Sequence, residues 1–96
     1  MNVPREQYVN AIKTGVMTET TKKRIKASLM VLKEAGRPLT MKKEITPAMK
    51  PYGWDVKSHY DMFNSLTDCG LVKKTEEKGQ EETFEITQAG IKYLGA

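Results

Sequence analysis

Residues 66–87 read LTDCGLVKKTEEKGQEETFEIT. Two short β-prone pieces, Leu71-Val72 and Thr83 to Thr87, flank about ten residues that are almost all charged or polar. An amphipathic helical pattern precedes the stretch and another follows it. A hairpin with so bare a tip cannot carry a core by itself. Its strands must rest on a neighbouring helix, and the rest of the chain has to supply that helix.

Working back from the hairpin, VKSHYDMFNSLTDCG places Val56, Tyr60, Phe63 and Leu66 on one helical face. Gly53 and Trp54 suit a turn, Asp55 a helix N-cap, and Gly70 a C-terminal stop. The outer face of this helix, 55–69, is expected to present Lys57, Ser58, Asp61, Asn64 and Ser65. Upstream, MKKEITPAMKPYG contains Pro47 and Pro51 where a long helix needs free N–H groups. At most a turn or two, then irregular chain, is expected there. The segment RPLT suits a very short edge strand, with Thr40 capping the helix that follows. The central helix is TETTKKRIKASLMVLKEAG: threonine N-caps, then Ile25, Leu29, Leu32 and Ala35 in register, then Gly36. Met30 and Val31 widen its apolar arc. A first helix through REQYVNAIKT opens at Pro4 and aligns Tyr8, Val9 and Ile12. After the hairpin, Thr87 caps a last helix, QAGIKYL, with Ile91, Tyr93 and Leu94 available for the core.

A chain of 96 residues fits one domain, 1–96. Hydrophobic residues at 39% and charged residues at 29% describe a foldable globular sequence rather than a disordered one. The longest apolar run, Leu29 to Leu32, is far short of a membrane span, so no membrane association is expected. The opening MNVPREQYVN has no apolar h-region, and the single cysteine, Cys69, suits a reducing compartment; both point to a cytoplasmic protein. The net charge of +4 is unevenly spread. Residues 1–40 hold eight basic against three acidic side chains, residues 41–75 six against four, and residues 76–96 two against five. A basic excess in the helical part is the pattern of a chain that meets a polyanion, although a solvated surface has the same composition.

The element order resembles the winged helix-turn-helix domain. SLTDCGLVKK is similar to the end of a recognition helix running into the first wing strand, and FEITQAGIKYL to the second wing strand entering the C-terminal helix. Members of the multiple-antibiotic-resistance-regulator and phenolic-acid-regulator groups often write the latter as Leu-Thr-x-x-Gly-x-x-x-Leu. The resemblance covers most of residues 20–94. It implies an α+β, mostly helical fold: a three-helix core with a small antiparallel β-wing at 20–87, an N-terminal extension helix within 1–19 and a C-terminal helix at 88–96.

What the resemblance implies for function is double-stranded DNA binding, with helix 55–69 in the major groove and Lys57, Ser58, His59, Asp61 and Asn64 near the bases. For His59 a solvent-facing position comes ahead of one flanking the DNA or packed beside Tyr60, and the alternative for Lys57, Ser58, Asp61 and Asn64 is an ordinary solvent-facing helix surface. Thr40, Lys42 and Lys43 at a helix start, with Lys73 and Lys74 at the wing base, are the expected phosphate contacts. Five such contacts give a slope of about −4 to −5 in log K against log salt. Glu76, Glu77, Glu81 and Glu82 surround one lysine, Lys78, so the wing tip is expected to turn away from phosphates or to meet another protein. Lys22, Lys23, Arg24 and Lys26 are read as a solvated face. Trp54 is read as a hydrophobic lid, and Met17, Met30, Met41, Met49 and Met62 as core fillers.

No Gly-rich phosphate loop, catalytic triad order or Cys/His metal spacing occurs, so no enzyme, metal or cofactor is expected. The expected protein is a transcriptional regulator acting as a homodimer, its interface the apolar face of the first helix or the last. The alternatives are a winged-helix adaptor for protein partners and a replication or partition factor that coats DNA.

Overall fold

A computed structural model describes residues 4–52 and 56–95. Gly53, Trp54 and Asp55, expected to form the turn and cap, lie outside the described residues, as do the side chains of Val56, Lys57 and Ser58. The fold is α+β and mostly helical, with a small three-stranded antiparallel sheet.

Helix α1 spans Pro4–Thr14 and α2 Glu19–Ala35. Thr18 caps α2, its Oγ1 accepting from the Thr21 N–H at 3.2 Å, and Gly36 ends it. Ile25, Leu29 and Leu32 are fully buried, as their spacing predicts. Met30 is not: it is 38% exposed, because the α2 face that meets the core is the arc through Ile25, Ser28, Leu29 and Leu32.

Strand β1, Leu39–Thr40, lies at the sheet edge. The segment after it is helical for longer than its prolines suggest. A five-residue π-turn, Met41–Ile45, leads into α3, Thr46–Met49, and then a 3₁₀ turn, Lys50–Tyr52. The π-turn accommodates Pro47. The Thr46 N–H reaches back five residues to the Met41 carbonyl, and the widened turn spares the proline an α-helical bond it cannot donate. Met41, Ile45 and Met49 all enter the core.

Helix α4, Val56–Asp68, delivers Phe63 and Leu66 to the core as expected. Its buried face is rotated from the predicted one. His59, Met62 and Ser65 are buried and Tyr60 is only half-buried. At Ser65 the cause is α1, which packs chiefly against α4 and covers a flank that the sequence leaves to solvent. Gly70, at a φ of +78°, then turns the chain sharply enough for the Leu71 N–H to bond the Leu66 carbonyl.

Strands β2 (Val72–Thr75) and β3 (Thr83–Ile86) form the hairpin, and β3 is central in the order β1-β3-β2. Phe84 pairs with Leu39 on one side and Lys74 on the other. Its ring centroid lies 5.6 Å from that of Phe63, and this contact seats the hairpin on α4. Thr87 caps α5, Gln88–Gly95, with Oγ1 accepting from the Gly90 N–H at 3.1 Å and donating to the Gly70 carbonyl at 2.7 Å. Tyr93 and Leu94 pack against the core, whereas Ile91 is 37% exposed.

Candidate nucleic-acid interface

The side chains expected to face a polyanion divide into those that remain accessible and those already engaged within the chain. Lys42 and Lys43 project from the first turn after β1 and are exposed. Thr40, expected beside them as a phosphate seat, is occupied. Its N–H and hydroxyl both donate to Glu44 Oε1, at 3.1 and 3.3 Å. Glu44 is in turn paired with Arg37, and hydrogen bonds from Arg37 and then from the Thr40 N–H hold its carboxyl below the usual range. A carboxylate of the chain itself therefore sits where a phosphate was expected to bind.

On α4, Asn64 and Lys74 are joined to each other. Lys74 Nζ donates to Asn64 Oδ1 at 3.4 Å and lies 3.4 Å from Glu82 Oε2. That contact occupies one of the two amide atoms with which Asn64 could read adenine. Lys73 does not join this cluster. Strand alternation turns it to the opposite face of the hairpin, across from Glu85, where it is exposed. Asp61 is half-buried, with its carbonyl accepting from Ser65.

Two expectations on α4 are overturned. His59 is 1% exposed and so is not a base-contacting residue; it belongs to the packed side of the helix. Ser65, expected on the outer face, is fully buried, its Oγ 2.9 Å from the Arg5 carbonyl and 2.6 Å from that of Asp61. The burial of Ser65 follows from the docking of α1, whose Arg5 carbonyl it meets. Arg5 strengthens that docking by donating to both Asp68 carboxylate oxygens, at 2.6 and 2.7 Å, which lowers the Asp68 pKa. Lys57 and Ser58 lie on the α4 backbone at the end nearest the undescribed turn, and their side chains are outside the described residues.

Around Lys42 and Lys43 the hairpin closes in. A cleft of about 190 Å³ is lined by Met41, Lys42, Tyr60, Glu81 and Glu82. A second, of about 440 Å³, is lined by Lys43, Glu44, Gln80, Glu81 and Thr83 among others. The base of the acidic hairpin tip thus lies beside the same lysines that would meet phosphate. The Thr40 to Glu44 spacing, a carboxylate one turn after a cap, was legible in the sequence. The approach of Glu81 and Glu82 to Lys42 depends on how the hairpin lies on α4 and has no local signal.

Elsewhere, Cys69 is half-buried with its Sγ 4.0 Å from the Val9 carbonyl, and burial pushes its thiol pKa up, away from a reactive thiolate. Among the described residues no three His, Cys, Asp or Glu side chains are grouped to hold a metal ion, and no helix is long and apolar enough to cross a membrane. Comparison of the chain with protein-family models, with curated proteins and with solved structures finds no match.

Proposed function

We propose that the chain is a winged-helix protein that binds double-stranded DNA, with α4 entering the major groove and Lys42, Lys43 and Lys73 holding the phosphate backbone, and that it serves as a transcriptional regulator. The observation that carries this reading is the order of elements. Helix, short strand, two helices and a hairpin follow one another, and the short strand pairs with the second hairpin strand. In chain order α4 lies between the basic first turn after β1 and the hairpin, which is compatible with a recognition helix and supports this reading.

The test is fluorescence anisotropy with a generic duplex from low to physiological salt. Three phosphate contacts give a slope of about −3 in log K against log salt. Changing both Lys42 and Lys43 to glutamate should flatten the slope by about 2 and weaken binding at least tenfold. Changing Glu81 and Glu82 to glutamine should act in the other direction. It frees Lys74 from Glu82 and removes two carboxylates from beside Lys42, strengthening binding roughly tenfold. An affinity indifferent to all four substitutions rules out this face.

A protein-adaptor reading is favoured by one observation: basic groups around α4 are paired internally, Arg5 with Asp68, Arg37 with Glu44 and Lys74 with Glu82. Absence of duplex binding at low salt selects it. A homodimer remains part of the proposal, but with a narrower basis. The α1 face bearing Tyr8 and Ile12 is packed against the chain's own core, which leaves the exposed Ile91 of α5 as the contact. Sedimentation at high micromolar concentration should show a dimer that Ile91→Glu converts to monomer. A monomeric wild type excludes it.

A further inference from the structure

Helix α2 carries a row of basic residues that take part in none of these ion pairs. Lys22, Lys26, Met30 and Lys33 follow one another at i, i+4, i+8 and i+11 and so share one face of the helix, with Lys23 beside them. Lys22, Lys23, Met30 and Lys33 are exposed and Lys26 is half-buried. None of the four lysines is in an ion pair among the described residues, in contrast to Arg5, Arg37 and Lys74. Only Glu19 and Glu34 supply negative charge on this helix, one at each end. Lys22 and Lys26 repel at their spacing, a cost to the helix that a neighbouring polyanion removes.

From this we propose that the outer face of α2 is a second binding surface for the phosphate backbone of nucleic acid, independent of α4. The row from Lys22 to Lys33 is about 16 Å long, roughly half a turn of duplex. It carries compact, mobile cations suited to phosphates without base reading. A membrane is the weaker fit, because the apolar residues that could insert, Ile25, Leu29 and Leu32, are buried in the core. An acidic protein is weaker too. Stable protein interfaces are centred on packed aromatic or aliphatic anchors and depleted in lysine, whereas this face offers Met30 alone. Both α2 and α4 turn their apolar faces to one core, so their charged faces diverge from it. A duplex held along α4 leaves the α2 row open to a second segment, and one chain can then bridge two.

The experiment combines the two faces. Lys22, Lys23, Lys26 and Lys33 are changed together to glutamine in the wild type and in the protein already carrying Lys42→Glu and Lys43→Glu. A third protein carries arginine at the four α2 positions, and circular dichroism melts confirm that each folds. Duplex binding is read by anisotropy, and bridging by capture of a fluorescent duplex on beads bearing a different, immobilised duplex. The expected result is residual, salt-dependent duplex binding in the Lys42/Lys43 variant that the four glutamines abolish, with a loss of at least tenfold in bridged duplex from the wild type and retention in the arginine protein. A Lys42/Lys43 variant that binds as the wild type does, with binding lost on adding the glutamines, supports the α2 surface and removes the α4 reading instead. Bridging and affinity unchanged by the glutamines overturn the proposal. So does pelleting with phosphatidylserine vesicles in the absence of any duplex binding.

Discussion

Replacing Phe84 with alanine should cost about 3–5 kcal/mol, the range for removing a fully buried phenyl ring. A chain of 96 residues is expected to be stable by about 5–14 kcal/mol, so the variant loses a large share of it. Urea or thermal unfolding followed by circular dichroism should show the midpoint falling by about 12 °C or more. The effect is large because three contacts meet at one side chain. Phe84 is in the central strand, directly opposite Leu39 of β1 and Lys74 of β2, and its ring rests on Phe63 of α4. Losing it leaves a cavity under the whole sheet and uncouples the hairpin from α4. A loss below about 1 kcal/mol would mean that the sheet does not pack on α4 in this way.

Gly90→Ala should be destabilising by about 1–3 kcal/mol, although the same change in an exposed helix stabilises by up to about 1 kcal/mol. A methyl group at Gly90 would collide with the Leu71 carbonyl oxygen and come within 2.7 Å of the Ile86 Cγ1. The Leu71 carbonyl cannot easily retreat, because it accepts the Thr87 N–H at 3.1 Å. Helix α5 must therefore lift from the turn that follows α4. Gly95→Ala is the control in the same helix, since a Cβ there meets nothing within 4 Å. Unfolding midpoints for the two variants should move in opposite directions or differ by several degrees. Equal midpoints would show that α5 does not dock through Gly90. The contact also accounts physically for the Ile86-Thr87-x-x-Gly90 spacing: the threonine caps the helix by bonding the Gly90 N–H, and the glycine lets the helix touch the preceding turn.

The positions that were readable before folding are those governed by local rules. Thr18 and Gly36 bracket α2, Thr87 opens α5, and alternation turns Phe84 inward, because capping, helix periodicity and strand pleating each act over a few residues. Local reading failed where a distant segment intervened. Ser65 looks like an outer-face residue until α1 arrives from sixty positions away and its Arg5 carbonyl accepts the serine hydroxyl. Pro47 reads as a helix breaker until a π-turn accommodates it.

The amino-acid sequence by itself determined the number and order of the elements, the caps of α2 and α5, most of the core and the uneven spread of charge. Each of these depends on residues that are neighbours along the chain. Only the tertiary structure decided which charges remain available. Arg37 and Lys74 are matched with Glu44 and Glu82 by the sheet and the turn beside it, and Arg5 with Asp68 by the docking of α1. Among the described residues, Lys22, Lys23, Lys26 and Lys33 are in no ion pair, the described acidic partners being matched elsewhere. An ion pair requires two groups within about 4 Å, a separation fixed by packing rather than by position in the chain.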